Sequence, residues 1–304
     1  MKPIPNLSRY LCVISLASCT ALTAAHAGAP ATGDKSKVPL LDAVDWKENT
    51  IAPVTNPIYF EDPVIRTEVR PIFAYHRIDN DFITKGGNAE VYALQLRYAV
   101  TDRLAIIATQ DGYMNIHTGA GPTLGGWLDI AAGLKYALID DKAHNFILTP
   151  GFTFSIPLGQ EEVFHGRGSG EWNIFTSAEK GWGKFHLIGN VGLRVPNDTS
   201  EQSTSLHYSA HADYFACRWF IPFVEANGWT VLSHGNNLPL NSEGYDVINF
   251  GSSNAGNVTQ MTLGGGFRSR LAKNVDLGVA YEKAIIDPHG LTNDRFTFDF
   301  TIRF

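Results

Sequence analysis

His207, Tyr208 and Ser209 place an imidazole and a hydroxyl two positions apart. On an extended strand this spacing turns both side chains to one face, and Glu225, one strand further on, stands where a carboxylate can orient the imidazole. A base-activated serine is the chemistry that such a set would serve. Two features oppose it. A His-x-Ser tripeptide arises easily by chance, and Leu206, Tyr208, Ala210 and Ala212 make the other face the apolar one, so that His207 and Ser209 face a polar interior. No catalytic residue is therefore assigned, and the chain is read as having no chemistry of its own. His117, His165, His234 and His289 lie in connecting segments without metal-ligand spacing, so neither a metal nor another cofactor is expected. Of three cysteines, Cys12 and Cys19 fall in the first 27 residues, which leaves Cys217 as a passive turn residue with no intramolecular disulfide partner.

The elements that would carry these residues are strands. The last ten residues alternate without interruption, with Phe296, Phe298, Phe300, Ile302 and Phe304 on one side and Arg295, Thr297, Asp299, Thr301 and Arg303 on the other. Such a segment is a strand with one apolar and one polar face. A terminal aromatic strand of this kind has the pattern that closes an outer-membrane barrel, apolar toward lipid and polar toward the lumen. Phe304 then belongs to the periplasmic rim and to the signal read by the barrel-assembly machinery.

The beginning of the chain agrees. Lys2 and Arg9 precede an uncharged, mostly apolar run from Tyr10 to Ala25, and Ala25-His26-Ala27 has the form of a cleavage site. Residues 1–27 read as a secretory signal peptide. Leu16-Ala17-Ser18-Cys19 offers a competing lipidation site, and both readings export the chain. Cleavage leaves about 277 residues carrying 22 of the 24 bases and all 30 acids, a formal charge of −8. An acidic chain without a basic cluster is not a nucleic-acid binder. No stretch beyond the signal reaches the roughly 18 apolar residues of a membrane helix.

Residues 28–65 are irregular, and their first part is rich in Pro, Ala, Lys and Asp; they read as a periplasmic leader that touches the barrel floor or lumen. Alternation starts near Arg66, where Val69, Pro71, Phe73 and Tyr75 oppose Arg70, Ile72, Ala74 and His76, the proline suiting an edge or rim position. Further alternating segments are 90–100, 103–114, 126–138 (Leu128, Ile130, Ala132, Leu134 and Tyr136 outward), 145–157, 171–179, 184–195, 205–215, 219–230, 258–268, 274–283 and 295–304. That makes about twelve strands of a length that crosses a bilayer at a tilt. Their connectors alternate between short turns and longer links at 78–89, 115–125, 158–170, 196–204, 231–257 and 284–294. Short periplasmic turns with long outer loops are the signature of an outer-membrane barrel, and an even strand number puts both ends of the barrel on the periplasmic side. Tyr98, Tyr136, Trp182, Phe185, Phe215 and Trp219 fall near the short turns, and Tyr75, Tyr92, Tyr113 and Trp229 near the long loops, as two interfacial girdles.

The expected fold is therefore all-β: a transmembrane, antiparallel, up-and-down β-barrel of about twelve strands over residues 66–304. It is set in the bacterial outer membrane against lipid and lipopolysaccharide. Its lumen would be lined by Arg97, Asp129, Lys135, Asn190, Arg194, His207, His211, Asp213, Glu225, Arg268, Glu282, Arg295, Asp299 and Arg303, with Arg70, His76, Gln95, Asp111 and Asn173 beside them. Mixed charges in a narrow interior either brace one another or line a polar path. The 231–257 link is long enough to cap the mouth or to lie on the surface.

Two resemblances bear on function. Ala131-Ala-Gly-Leu-Lys-Tyr-Ala-Leu138 followed by Leu148-Thr-Pro-Gly-Phe-Thr-Phe-Ser-Ile-Pro-Leu-Gly159, with Asn190-Val-Gly-Leu-Arg194 and the closing strand, resembles the meta-pathway phenol-degradation family of outer-membrane transporters. The resemblance implies passive uptake of small solutes, extending to hydrophobic or aromatic compounds, and carries no defined binding residues. His207 and Ser209 are similar to the catalytic strand of outer-membrane lipid esterases and deacylases, which implies a lipid hydrolase as the alternative. A non-conducting structural barrel is the third reading.

Overall fold

Period-two alternation becomes strand after strand. The structure, a computed structural model, describes residues 46–304 apart from Pro288. The signal peptide, Cys12, Cys19 and residues 28–45 lie outside the described residues. In chain order the strands are β1 (Glu68–Arg77), β2 (Gly87–Ala99), β3 (Leu104–Gln110), β4 (Gly112–Thr118), β5 (Thr123–Trp127), β6 (Ile130–Tyr136), β7 (Ile139–Asp141), β8 (Phe146–Ile156), β9 (Glu171–Trp182), β10 (Phe185–Pro196), β11 (Thr204–Tyr214), β12 (Ile221–Ser233), β13 (Thr259–Ala272), β14 (Val275–Ile286) and β15 (Asp294–Arg303).

These fifteen strands make twelve staves of one closed antiparallel barrel. β3 and β4 form one stave interrupted at Asp111; β5, β6 and β7 form the next, interrupted at Leu128-Asp129. β1 pairs with β2 on one side and with β15 on the other, from Glu68↔Arg303 to Arg77↔Asp294, so the barrel closes, and β5 and β7 each keep a flank without a strand partner. Closure gives backbone groups partners in a lipid environment that offers none. The edge position expected for Pro71 does not exist, because a closed barrel pairs β1 on both flanks. The register with β15 instead steps from Val69↔Ile302 to Ile72↔Asp299 across the proline.

Outward positions are apolar and exposed, as at Tyr92, Leu94, Leu96 and Tyr98 of β2 and Phe296, Phe298 and Phe300 of β15. Inward neighbours such as Thr297, Asp299 and Thr301 are buried. The outer loops span 78–86, 119–122, 157–170, 197–203, 234–258 and 287–293. The link expected at 115–125 is mostly strand, since β4 and β5 pair as a hairpin from Tyr113↔Trp127 to His117↔Thr123.

The interruptions at Asp111 and at Leu128-Asp129 change which residues face inward. Below them the buried positions are odd-numbered, Ala105, Ile107, Ala131 and Lys135; above them they are even-numbered, Met114, Ile116 and Leu128. An extra residue in a ladder turns the following side chains to the opposite face. Leu128, expected to face lipid, is therefore buried inside the barrel.

Below the break β6 lies tightly on β8: a Cβ on Gly133 would sit 1.8 Å from the Phe152 carbonyl oxygen. No rotamer relieves a clash with backbone. Gly133→Val is expected to reduce sharply the fast-migrating, unboiled band that marks a folded barrel in gel electrophoresis. An undiminished folded band in that variant would contradict the packing of β6 on β8.

Candidate functional site

The lumen is filled by chain. Trp46–Glu48 form one 3-10 turn at the short-turn end, where Lys47 Nζ lies 2.6 Å from Asp140. Residues 51–64 then enter the barrel as a finger that turns where Phe60 N–H donates to Asn56 O at 2.9 Å, and descends into β1. Pro53, Pro57 and Pro63 remove N–H donors from this finger, so it brings an excess of carbonyl acceptors into an interior rich in donors. Arg268 Nε donates to Ala52 O (2.8 Å), Arg70 to Pro53 O (2.6 Å), Gln95 to Pro57 O (2.7 Å) and Thr149 to Pro63 O (2.7 Å). The donors Val54 N–H and Thr55 N–H go to the two oxygens of Glu225, at 2.9 and 2.7 Å.

The inward charges pair with the finger and with each other. Glu61 of the finger receives Arg97 through two nitrogens, at 2.8 and 2.6 Å, and Lys135 at 2.7 Å. Asp299 lies between Arg70 (2.7 Å) and Arg268 (2.7 and 2.8 Å). His211 bridges Glu225 (2.7 Å) and Asp213 (3.2 Å), and His186 reaches Asp213 at 2.8 Å. Arg303 pairs with Asp276 at 2.8 and 3.0 Å, Arg295 with Glu282, and Asn190 with Ser177 at 2.8 Å.

The outer half is closed by the loop between β12 and β13, whose residues Tyr245 to Phe250 are all buried. Arg194 donates to Tyr245 O at 2.7 Å, Asn249 to Glu171 at 2.6 Å, and Arg295 reaches Asp246. The Tyr245 hydroxyl donates to Asp287, and burial together with that carboxylate raises its pKa, keeping it a donor. Val247, Ile248 and Phe250 pack into an apolar cluster with Val91 of β2 and with Met114, Ile116 and Leu128, the last three turned inward by the strand breaks. Between finger and loop, a cavity of about 30 Å³ is lined by Ile58, Ile72, Val91, Gln95 and Val247 among others. That space suits one or two waters rather than a solute.

Most of the lumen residues expected from the sequence are buried; Arg303, Asp129 and Asp111 are partly so. Asp129 sits at the break between β5 and β6, where it accepts Gly159 N–H at 2.9 Å and Gly166 N–H at 2.8 Å from the outer loop 157–170. The His-x-Ser pair is not assembled for catalysis. His207 Nε2 lies 2.7 Å from Asn173 Oδ1 with its ring beside Tyr59, Ser209 receives Asn56 at 3.3 Å, and Glu225 serves His211 and the finger. Sequence spacing hid one cluster with metal-ligand types: Asp79, Asp81 and His289 bring ligand atoms within 4.8 Å of one another, with Asp81 and His289 open to solvent. It also missed Glu61, Tyr59, Asp246 and Asn249, which lie in segments without periodicity.

Scanning the sequence against models of protein families finds no match, and neither does comparison with curated proteins. Among solved structures, an outer membrane channel from Pseudomonas putida F1 is similar at 15% identity and a TM-score of 0.56, covering 84% of this chain and 100% of that one. The NanC porin is similar at 7% identity and a TM-score of 0.50, over 78% of this chain and 100% of that one. The fold is that of an outer-membrane β-barrel. With its apolar outer surface and polar interior, the chain is built to reside in a bacterial outer membrane.

Glu225 is the one lumen carboxylate that takes two successive finger amides. Glu225→Ala should speed hydrogen exchange at Val54 and Thr55 by roughly tenfold or more, since hydrogen bonds to a charged acceptor contribute about 1.5–3 kcal/mol. Unchanged protection at both amides would show that the finger is held by other contacts alone.

Proposed function

We propose that this protein is a channel for passive uptake of small solutes across the outer membrane, closed in the conformation described. What carries the reading is the manner of closure. The barrel's own inward side chains do not fill the bore; two connecting segments, residues 51–64 and 243–250, do, the first attached largely through side-chain hydrogen bonds and ion pairs, the second through such contacts and apolar burial. Segments of that kind can be displaced without breaking the barrel's hydrogen-bond ladder. The similar barrel from Pseudomonas putida, an outer membrane channel, supports the same reading.

Hydrophobic or aromatic compounds are the solute class that we favour. The mouth is lined by Val91, Met114, Ile116 and Leu128 where a general porin would present polar groups, and removal of the loop's Val247, Ile248 and Phe250 would expose that lining. The resemblance of Ala131–Leu138 and Leu148–Gly159 to the phenol-degradation transporters points the same way. Catalysis has no support in the geometry, since His207, Ser209 and Glu225 are engaged elsewhere. Phe304, exposed at the short-turn end, is available to the barrel-assembly machinery during insertion.

Planar-bilayer recordings test the channel. Wild-type protein should give small, intermittent conductance steps, and a variant lacking residues 51–64 and 243–250 should give large persistent ones. Silence from that variant, with its folded gel band intact, would sink the proposal.

A further inference from the structure

The outer loop 157–170 forms a strap across the wall beside β5. Gln160 N–H donates to Trp127 O at 2.9 Å, and the Gln160 side-chain oxygen receives Trp127 N–H at 2.9 Å, so the strap continues the ladder where β8 has ended. Gly166, Gly168 and Gly170, with φ of 69°, 72° and 90°, let it fold back on itself. Under it lies a second cavity, of about 20 Å³, bounded by Gln110, Phe164, His165, Arg167, Arg194 and Gln202 together with the carboxylates of Asp129 and Glu171.

Three polar atoms on this cavity are buried and have no hydrogen-bond partner among the described residues: His165 Nε2, Arg167 Nε and Gln202 Oε1. His165 is only 4% exposed. Its Nδ1 lies 3.3 Å from the Asp129 backbone N–H, which it can accept, and 3.2 Å from Asp129 Oδ2; in the tautomer that accepts the amide, Nε2 carries the proton. Arg167 Nε makes only a long ion pair with Glu161 Oε2 at 3.8 Å, and its guanidinium, partly open to the outside, lies over the Phe164 ring at 5.7 Å. The two carboxylates in the lining are already occupied. Asp129 takes the amides of Gly159 and Gly166, while Glu171 takes Arg194, Asn249 and Tyr59. A guanidinium Nε and an imidazole Nε2 without hydrogen bonds thus belong to two residues that line one small space, and a half-turn of the Gln202 amide adds a third donor. Beside them Phe164 offers an apolar surface, its ring packed edge-on against Phe250 at 5.3 Å.

We propose that this space is a recognition site for the carboxylate of a small organic acid arriving from the outer side. The head group would lie against Arg167 Nε and His165 Nε2, and its apolar remainder against Phe164 and Phe250. The space holds about one water, so the head group takes that water's place by pushing the strap outward, and the remainder must displace part of the mouth loop. The proposal deepens the channel reading by naming a substrate class, and it rests on that reading only for the passage of the bound acid through the barrel.

Calorimetric titration of the refolded full chain in detergent micelles, with benzoate and benzyl alcohol as probes of matched size, tests it. Benzoate should bind more tightly than benzyl alcohol. Arg167→Gln should weaken benzoate by roughly tenfold to a hundredfold, the range for one charge-assisted hydrogen bond, and leave benzyl alcohol unchanged. Arg167→Lys should retain part of the benzoate affinity. Equal affinity for the two probes, no heat with benzoate, or an Arg167→Gln variant that binds benzoate normally would each overturn the site. Binding with the expected pattern in a protein that stays silent in bilayers would keep the site and remove the channel.

Discussion

Asp299 accepts from Arg70 and Arg268 at once, and the free edges of those two guanidinium groups reach the finger carbonyls at Pro53 and Ala52. This shared carboxylate shows the constraint on which the molecule depends. An ion moved from water into a dry interior costs several kcal/mol, and removing one partner of a buried pair costs about 3–5 kcal/mol. A barrel lined with arginine therefore has two stable conditions, water-filled or fully partnered. Here the partners are supplied by chain. Glu61 meets Arg97 and Lys135, and Asp246 meets Arg295, so the finger and the mouth loop each bring an acid to a base that the wall leaves short.

The two closing segments are held by different physics. Finger contacts are largely hydrogen bonds and ion pairs, which water can replace as it enters. The loop is held by polar contacts at Arg194, Arg295 and Glu171 and also by burial of Val247, Ile248 and Phe250 against the apolar mouth. An apolar ligand can compete for that second attachment, whereas a hydrated ion cannot. Glu171 joins the segments, because its carboxylate receives Tyr59 of the finger, Asn249 of the loop and Arg194 of the wall. Asn249 and Tyr59 donate to different oxygens of that one carboxylate, so the outer plug and the inner one share an acceptor on the wall.

Alternation in the sequence was enough to locate the staves and the inward faces of β1, β2, β8 and β15, because lipid on one side and polar groups on the other leave no freedom of register. The same reasoning failed at Leu128, and it placed Ile116 in a link where β4 runs. An apolar residue that faces an apolar mouth looks identical, in a single sequence, to one that faces lipid. Asp129 was legible as an inward acid, but its strap amides were not, since Gly159 and Gly166 lie 30 and 37 positions away. The finger was legible only as a leader that touches the barrel floor or lumen, and its course was hidden for another reason. Its order comes wholly from partners on other staves, so residues 51–64 carry no period of their own. Its acceptor-rich prolines and the lone acid pair Glu61-Asp62 were the available signal.

The breaks at Asp111 and Leu128 tie these features together. One added residue in each of two adjacent staves turns the outer part of the wall inside out, and the same step ends the normal pairing of β5 with β8. The first effect makes the mouth apolar and gives the loop its seat. The second opens a gap that the strap must cover, and Asp129, freed from the ladder, supplies the acceptors that hold the strap in place. A regular twelve-stave barrel would have neither the apolar mouth nor the cavity behind it. The irregularity in the wall therefore sets an apolar surface and the cavity behind the strap side by side at the outer end of the barrel.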